Sequence, residues 1–445
     1  MDYYTLALTV FAAYWLLVIF LNARGILARY GISSYGPILM LRTTKGLPIL
    51  DRLARPKRFW RTFANIGIPL AVIAMFFMLA ILFVGDVRIL ITQPAPTALN
   101  APRNILLLPG INEFVPLTWG LIGLIVTLVV HELAHAILSR VADVKVKSIG
   151  LLVALLPIGA FAEPDESQLL GTDSKRGEKV ATRPERLRVF SAGITANFVV
   201  AFFAFVLFFG PVLSSVAAVG GLGVVNVVQG SPAEKAGLKP GMIIYQIDGT
   251  QISNDNDFQA FMNATHERQV VTVKATDHGT SRNFVVILSE NPNYDKGFLG
   301  IQGGSADEVI GFLKAIPSHL DTYQGWGALI GLPLLFFRGF VGAASNLYQP
   351  IGWAAPLGNA FFWIANTLLW VGWINFYVGL FNCLPAVPLD GGHIFRELFG
   401  SLTEKVLTSK KDQERITNTL VTTLGVVILS SFLLLLLGPY IFGAV

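Results

Sequence analysis

The chain has 445 residues, of which 53% are hydrophobic and 14% charged, with a mean hydropathy of +0.60. That balance excludes an ordinary soluble globular protein and predicts a multi-pass membrane protein with room for one polar insert. The net charge of +5 is what the cytoplasmic loops of such a protein carry, so it predicts no nucleic-acid partner, and the single cysteine, Cys383, excludes an intrachain disulfide and a cysteine-based metal cluster.

In chain order, apolar runs long enough to span a bilayer fall at roughly 4–22, 64–85, 118–139, 189–212, 357–384 and 418–441. The first lacks a basic leader and a small-residue cleavage site, and is expected to be a retained helix. The loop 24–62 holds nine Lys/Arg against Asp51 alone, which places it in the cytoplasm. Alternation then puts 86–117 and 213–325 outside, and 140–188 and 396–415 inside. A shorter apolar stretch, 326–342, carries Pro333 and Arg338. Were it to span, the count between 213 and 396 would be even, so it is expected to lie in the interface or to re-enter.

Between 220 and 303 the text turns polar and alternating. Short strands are predicted at Gly223–Val228, Met242–Ile247, Val270–Ala275 and Asn283–Leu288, separated by turns such as Gly230-Ser231-Pro232 and Asp248-Gly249. "SPAEKAGL" predicts a short helix entered at Ser231, with Pro232 in its first turn. This segment resembles a PDZ domain of the kind carried by membrane and periplasmic proteases, although Met242 stands where an aspartate is usual. The resemblance implies peptide binding by strand addition beside the glycine-rich loop Gly220–Gly223, at Gly221, Leu222 and Gly223.

The chemistry lies in "HELAH", 131–135. His131 and His135 are one helical turn apart on one face and can grip one metal ion, and Glu132 is placed to take a proton from water. Two structural histidines in a bundle would also explain the motif, but three ionisable groups in lipid need compensation, and a bound Zn²⁺ supplies it. A third ligand is required. Glu163 has a spacing some soluble zinc proteases use. His266, His278 and His319 fall in the outer segment. Asp390 and His393 follow an apolar run that ends on the cytoplasmic side, at the depth of the two histidines, and Asp390 is favoured by Gly391 and Gly392, which permit close backbone approach.

HELAH in a membrane helix, "NCLPAVPLDGG" near the end of a later one and a PDZ insert between them resemble the site-2 protease family of intramembrane zinc metalloproteases. The resemblance implies zinc held by His131, His135 and Asp390, Glu132 as general base, and Asn382 as a residue that holds the substrate strand. "SAGITANFVVAFF" resembles the family's G-x-x-x-N helix, with Gly193 and Asn197; Ile194 departs from the proline of many bacterial members. It implies that the Asn197 amide stabilises the oxyanion. "LLVALLPIGAFAEPDE", broken by Pro157 and Gly159, resembles the family's re-entrant β segment, and implies a substrate edge at Gly159 and Phe161.

The expected fold is therefore a multi-pass α-helical membrane protein of about six transmembrane helices, with a re-entrant β segment and an inserted extracytoplasmic PDZ domain. The expected order is N-terminal helices and basic loop (1–117), first protease segment (118–218), PDZ domain (219–305), linker (306–356), second protease segment (357–400) and a last helix (401–445). The expected activity is hydrolysis of peptide bonds in or near transmembrane segments of membrane proteins, with one Zn²⁺ per chain and the lipid bilayer as surroundings. A membrane metal transporter or chaperone would keep the histidines without needing Glu132. An inactive scaffold would need neither.

Overall fold

Long apolar stretches without interior charge close their backbone hydrogen bonds internally, and most of the chain is accordingly helical. The computed structural model describes residues 3–97, 101–105, 109–171, 180–277, 279–291, 294–336 and 339–443; His278 and Arg338 lie outside these. The long helices are α1 (Tyr3–Ala23), α2 (Lys57–Thr92), α3 (Leu117–Val141), α4 (Arg183–Leu207), α5 (Ala360–Asn382), α6 (Asp390–Val406) and α7 (Lys410–Phe442). Among the described residues five of them, α2 to α5 and α7, are long and apolar enough to cross a membrane, with Phe208–Val212 extending α4 by a π turn. α1 carries no charged residue from Tyr3 to Ala23, and its described apolar stretch is Thr9–Ala23. On α2 the side chains of Ile73, Phe76 and Phe83 are about two-thirds exposed, a surface that lipid rather than water covers. Among the described residues of 326–342 no helix is long enough to span: the stretch breaks into Tyr323–Ile330 and Leu332–Leu335, parted at Gly331.

The chain divides into two compact units, one of residues 1–113, 117–203 and 370–445, the other of 114–116 and 204–369. In the first, α2 turns a row of small buried residues (Ala64, Gly67, Ala71, Ala74) inward. Such rows let membrane helices approach closely. A Cβ on Gly67 would overlap Thr195 of α4, and Arg188 Nε donates to Asn65 Oδ1 at 2.8 Å.

The predicted β segment is an antiparallel hairpin, β3 (Val146–Ala154) and β4 (Leu156–Pro164). It does not stand alone. Two strands from the basic loop, β1 (Ile32–Tyr35) and β2 (Ile38–Thr43), extend it to a four-stranded sheet in the order β1-β2-β3-β4. Tyr14 of α1 donates its hydroxyl to Pro37 O at 2.9 Å and lies 3.3 Å from Val153 O, tying the first helix to the sheet. The basic loop is thus half a sheet, not merely a topological marker.

In the second unit, β5 (Leu222–Val227), β6 (Ile243–Ile247), β7 (Val270–Asp277), β8 (Thr280–Ile287) and β9 (Ile301–Gly304) form an antiparallel sheet in the order β8-β7-β6-β5-β9, with Thr250–Gln251 pairing off β6. Leu222, Val224, Ile244, Ile247, Val271, Val273 and Val286 are buried in one core. The helix Pro232–Ala236 is capped as predicted, Ser231 Oγ accepting from Glu234 N, and Gly237 ends it at φ 90°. The four strands expected from the sequence are all present, which gives the insert its PDZ-like character. One expectation changes. Leu222 and Gly223 pair with Ile244 and Ile243 on one side, and Gly223 and Val224 pair with Gly304 and Gly303 on the other. Gly221 N donates to Ser253 O at 3.3 Å. Strand addition at Gly221, Leu222 and Gly223 would displace existing ladders, and the sheet ends instead at β9.

Candidate metal centre

The centre is built from three elements of the first unit. α3 brings His131 and His135, whose Nε2 atoms stand 3.1 Å apart. α6 begins at Asp390, and its Oδ2 lies 3.2 Å from each of those nitrogens. α4 supplies what surrounds them. His135 Nδ1 donates to Val189 O at 2.8 Å, which leaves Nε2 bare and turned inward. The carboxamide of Asn197, fully buried, lies 3.2 Å from His131 Nδ1.

Residues at a distance from one another in the sequence meet here because glycines make room. A Cβ on Gly193 would come 2.5 Å from His135 Nε2 and 2.6 Å from His131 Cε1. A Cβ on Gly391 would overlap the Cys383 carbonyl, and one on Gly392 would come 2.5 Å from the Ala386 carbonyl carbon. The two glycines seat the first turn of α6 on the turn that follows α5.

The three atoms fit a zinc ion. A tetrahedral zinc with bonds of about 2.0–2.1 Å places its ligand atoms about 3.3 Å apart, close to the 3.1 and 3.2 Å found. Asp390 Oδ2 is buried with no hydrogen-bond donor assigned to it. With both histidines protonated at Nδ1, three lone-pair atoms converge with no proton between them, an arrangement that a cation holds together. The second shell is also present. A histidine that binds metal through Nε2 needs an acceptor at Nδ1. Val189 O serves His135. For His131 the acceptor is the Asn197 amide oxygen, which is buried and otherwise unpartnered, once the carboxamide is turned so that Oδ1 faces the ring.

Glu132 Oε2 accepts from Ala162 N of the sheet at 2.9 Å. β4 ends its sheet, so this N–H lies on an edge with no further strand among the described residues. Gly159 and Phe161 sit in β4 opposite Leu152 and Gly150.

Of the other candidates, Glu163 accepts from Ser148 Oγ at 2.6 Å and pairs with Arg42 at 3.5 Å, away from the cluster. His393 stacks on Phe190, with centroids 4.5 Å apart and planes at 11°. His266 and His319 belong to the other unit. Asn382 is the half-buried last residue of α5. Sequence reasoning missed Val189, whose carbonyl carries no side-chain signal, and Ala162.

A sequence model of peptidase family M50 matches residues 119–429, which span the cluster and the insert. The chain belongs to peptidase family M50. Among similar proteins are an uncharacterized protein of Methanocaldococcus jannaschii, 29% identical over 84% of this chain and 81% of that one; metalloprotease MmpA of Caulobacter vibrioides, 25% identical over 64% and 86%; and zinc metalloprotease RasP of Shouchella clausii, 23% identical over 57% and 60%. The PDZ domain of an SdrC-like protein of Listeria monocytogenes aligns with 21% of this chain and 96% of its own, at 18% identity and a TM-score of 0.19. As a membrane-embedded M50 peptidase the chain is a metalloprotease by family, and the His131, His135 and Asp390 cluster offers three donor atoms that could hold a metal ion.

Proposed function

We propose that the protein is a site-2 protease that cuts peptide bonds in or near transmembrane segments of membrane proteins, with its centre toward the cytoplasm and the PDZ-like insert outside. One observation carries this reading: the carboxylate beside the metal seat, Glu132, is hydrogen-bonded to the edge strand of the sheet, β4. A substrate stretch that has left its helix has free backbone N–H and C=O groups, and pairing with that edge satisfies them. Gly159 and Phe161 line the strand that receives it, and Asn382, at the end of α5, supports its far side. Bound zinc supplies a Lewis acid for the scissile carbonyl and a water acidified toward neutral pH. Glu132 accepts the proton of the attacking water and returns it to the leaving amine. Asn197 and Val189 hold the two imidazoles in the tautomer that faces the seat. The excess of Lys/Arg in 24–62 supports the cytoplasmic side for the centre. The PDZ-like insert screens substrates before they reach the sheet.

The test is cleavage of a single-span model substrate by purified protein in detergent. Cutting by wild type that is absent in Glu132→Gln and after chelation is the expected result. Equal cutting by Glu132→Gln would sink the assignment.

A further inference from the structure

Asp390, His393, Glu397 and Glu404 follow one another along α6 at intervals of three, four and seven, so they share one face. Arg183, Arg186, Phe190 and Gly193 do the same on α4 at intervals of three, four and three. The two rows meet in opposite directions. Gly193 borders the metal seat that Asp390 completes. Next, Phe190 stacks on His393. Then Arg186 donates from Nε and Nη2 to the two oxygens of Glu397, both at 2.6 Å, while its Nη1 donates to Ala181 O at 2.8 Å. At the far end Arg183 donates to both oxygens of Glu404 at 2.8 Å and reaches Glu397 at 3.4 Å. The Arg186 and Glu397 side chains are only 18% and 13% exposed, whereas Glu404 is 50% exposed.

This seam answers a geometric need. Asp390 is the first residue of its helix, and Leu389 before it makes no side-chain cap. Helix ends fray unless something holds them. The other two ligands are oriented from α4, through Val189 and Asn197. The third must be brought into register with that same helix to within tenths of an ångström. A planar guanidinium held by two parallel bonds fixes both distance and angle, and it does so about 10 Å along α6 from Asp390.

We infer that Arg186 and Glu397 are positioning residues of the metal centre: their two-bond clasp registers the helix that begins at Asp390 against the helix that orients His131 and His135, and so sets how tightly the seat holds zinc. This rests on the metalloprotease reading above. The exposed Arg183–Glu404 end is screened by solvent and adds little.

The test is zinc affinity of the full-length protein in detergent, by competition with a chromophoric chelator, with the elution volume and melting of each metal-free variant as fold controls. Arg186→Gln and Glu397→Gln are expected to bind zinc about 10- to 100-fold more weakly, and Arg183→Gln with Glu404→Gln to match wild type. Arg186→Lys keeps the charge but loses the fork, and is expected to fall between. Wild-type affinity in Arg186→Gln and Glu397→Gln would overturn the clasp. Should either fail to fold, Arg186→Lys decides: weakened zinc binding supports the clasp and unchanged binding overturns it. A wild type that binds no more zinc than His131→Ala would remove the metal reading itself, and the clasp with it.

Discussion

Asn197 stands with its carboxamide 3.2 Å from Nδ1 of His131 and none of its surface exposed. This relationship separates two roles for one residue. An oxyanion donor acts on the substrate, whereas a partner of His131 acts on the metal. If the second role dominates, Asn197→Ala weakens zinc binding about 10- to 100-fold, and Asn197→Asp, which still accepts from Nδ1–H, retains most of it. Chelator competition on both variants measures this. Wild-type zinc affinity in Asn197→Ala together with a fallen kcat would assign Asn197 to the oxyanion instead.

Gly193→Ala dissociates stability from metal binding. Alanine favours a helix over glycine by up to about 1 kcal/mol, which offsets part of the cost of fitting its Cβ beside two buried rings, so the metal-free variant is expected to melt only modestly below wild type. Its Cβ, however, enters the space of both imidazoles. Zinc affinity is expected to fall at least about tenfold, in line with other disruptions of ligand orientation. A variant that binds zinc normally would show that the rings have room to move.

Metal removal is expected to lower the melting temperature of wild type and leave His131→Ala unchanged. Zinc at a hundred times its dissociation constant stabilises the folded state by about 2.7 kcal/mol. Glu132→Gln is expected to show the wild-type shift, because Glu132 bonds to Ala162 N and is not one of the three converging donors. Melting with and without chelator checks all three proteins, and loss of the shift in Glu132→Gln would place its carboxylate among the ligands.

The pH dependence at the seam between α4 and α6 has a defined sign. Hydrogen bonds from Arg183 hold the Glu404 carboxyl below its usual value. A carboxyl lowered in the folded state stabilises above its unfolded value, about 4.3, and that contribution is lost as pH falls through the lowered one. Glu404→Gln is therefore expected to flatten the acid limb of the stability curve slightly, and to cost no more than about 1 kcal/mol at pH 7, since the pair is half exposed. A steeper acid limb in the variant would contradict the sign.

The sequence by itself determined what depends on near neighbours. His131 and His135 share a face because an α-helix repeats every 3.6 residues, and the apolar runs, the capped helix at Ser231 and the insert's four strands follow from equally local patterns. Even Asp390 was legible, through the two glycines that follow it. Tertiary structure alone decided what depends on meetings between distant segments. The basic loop became two strands because the exposed edge of β3 needed a partner for its backbone, and charge counting had no access to that. Gly223 became interior to a sheet because β9, far along the chain, filled its second edge. The acceptor for His135 is a backbone carbonyl, which every residue possesses and which only folding singles out. Arg186 and Glu397, unremarkable as isolated charges, became a clasp because two helices brought one guanidinium and one carboxylate together out of water.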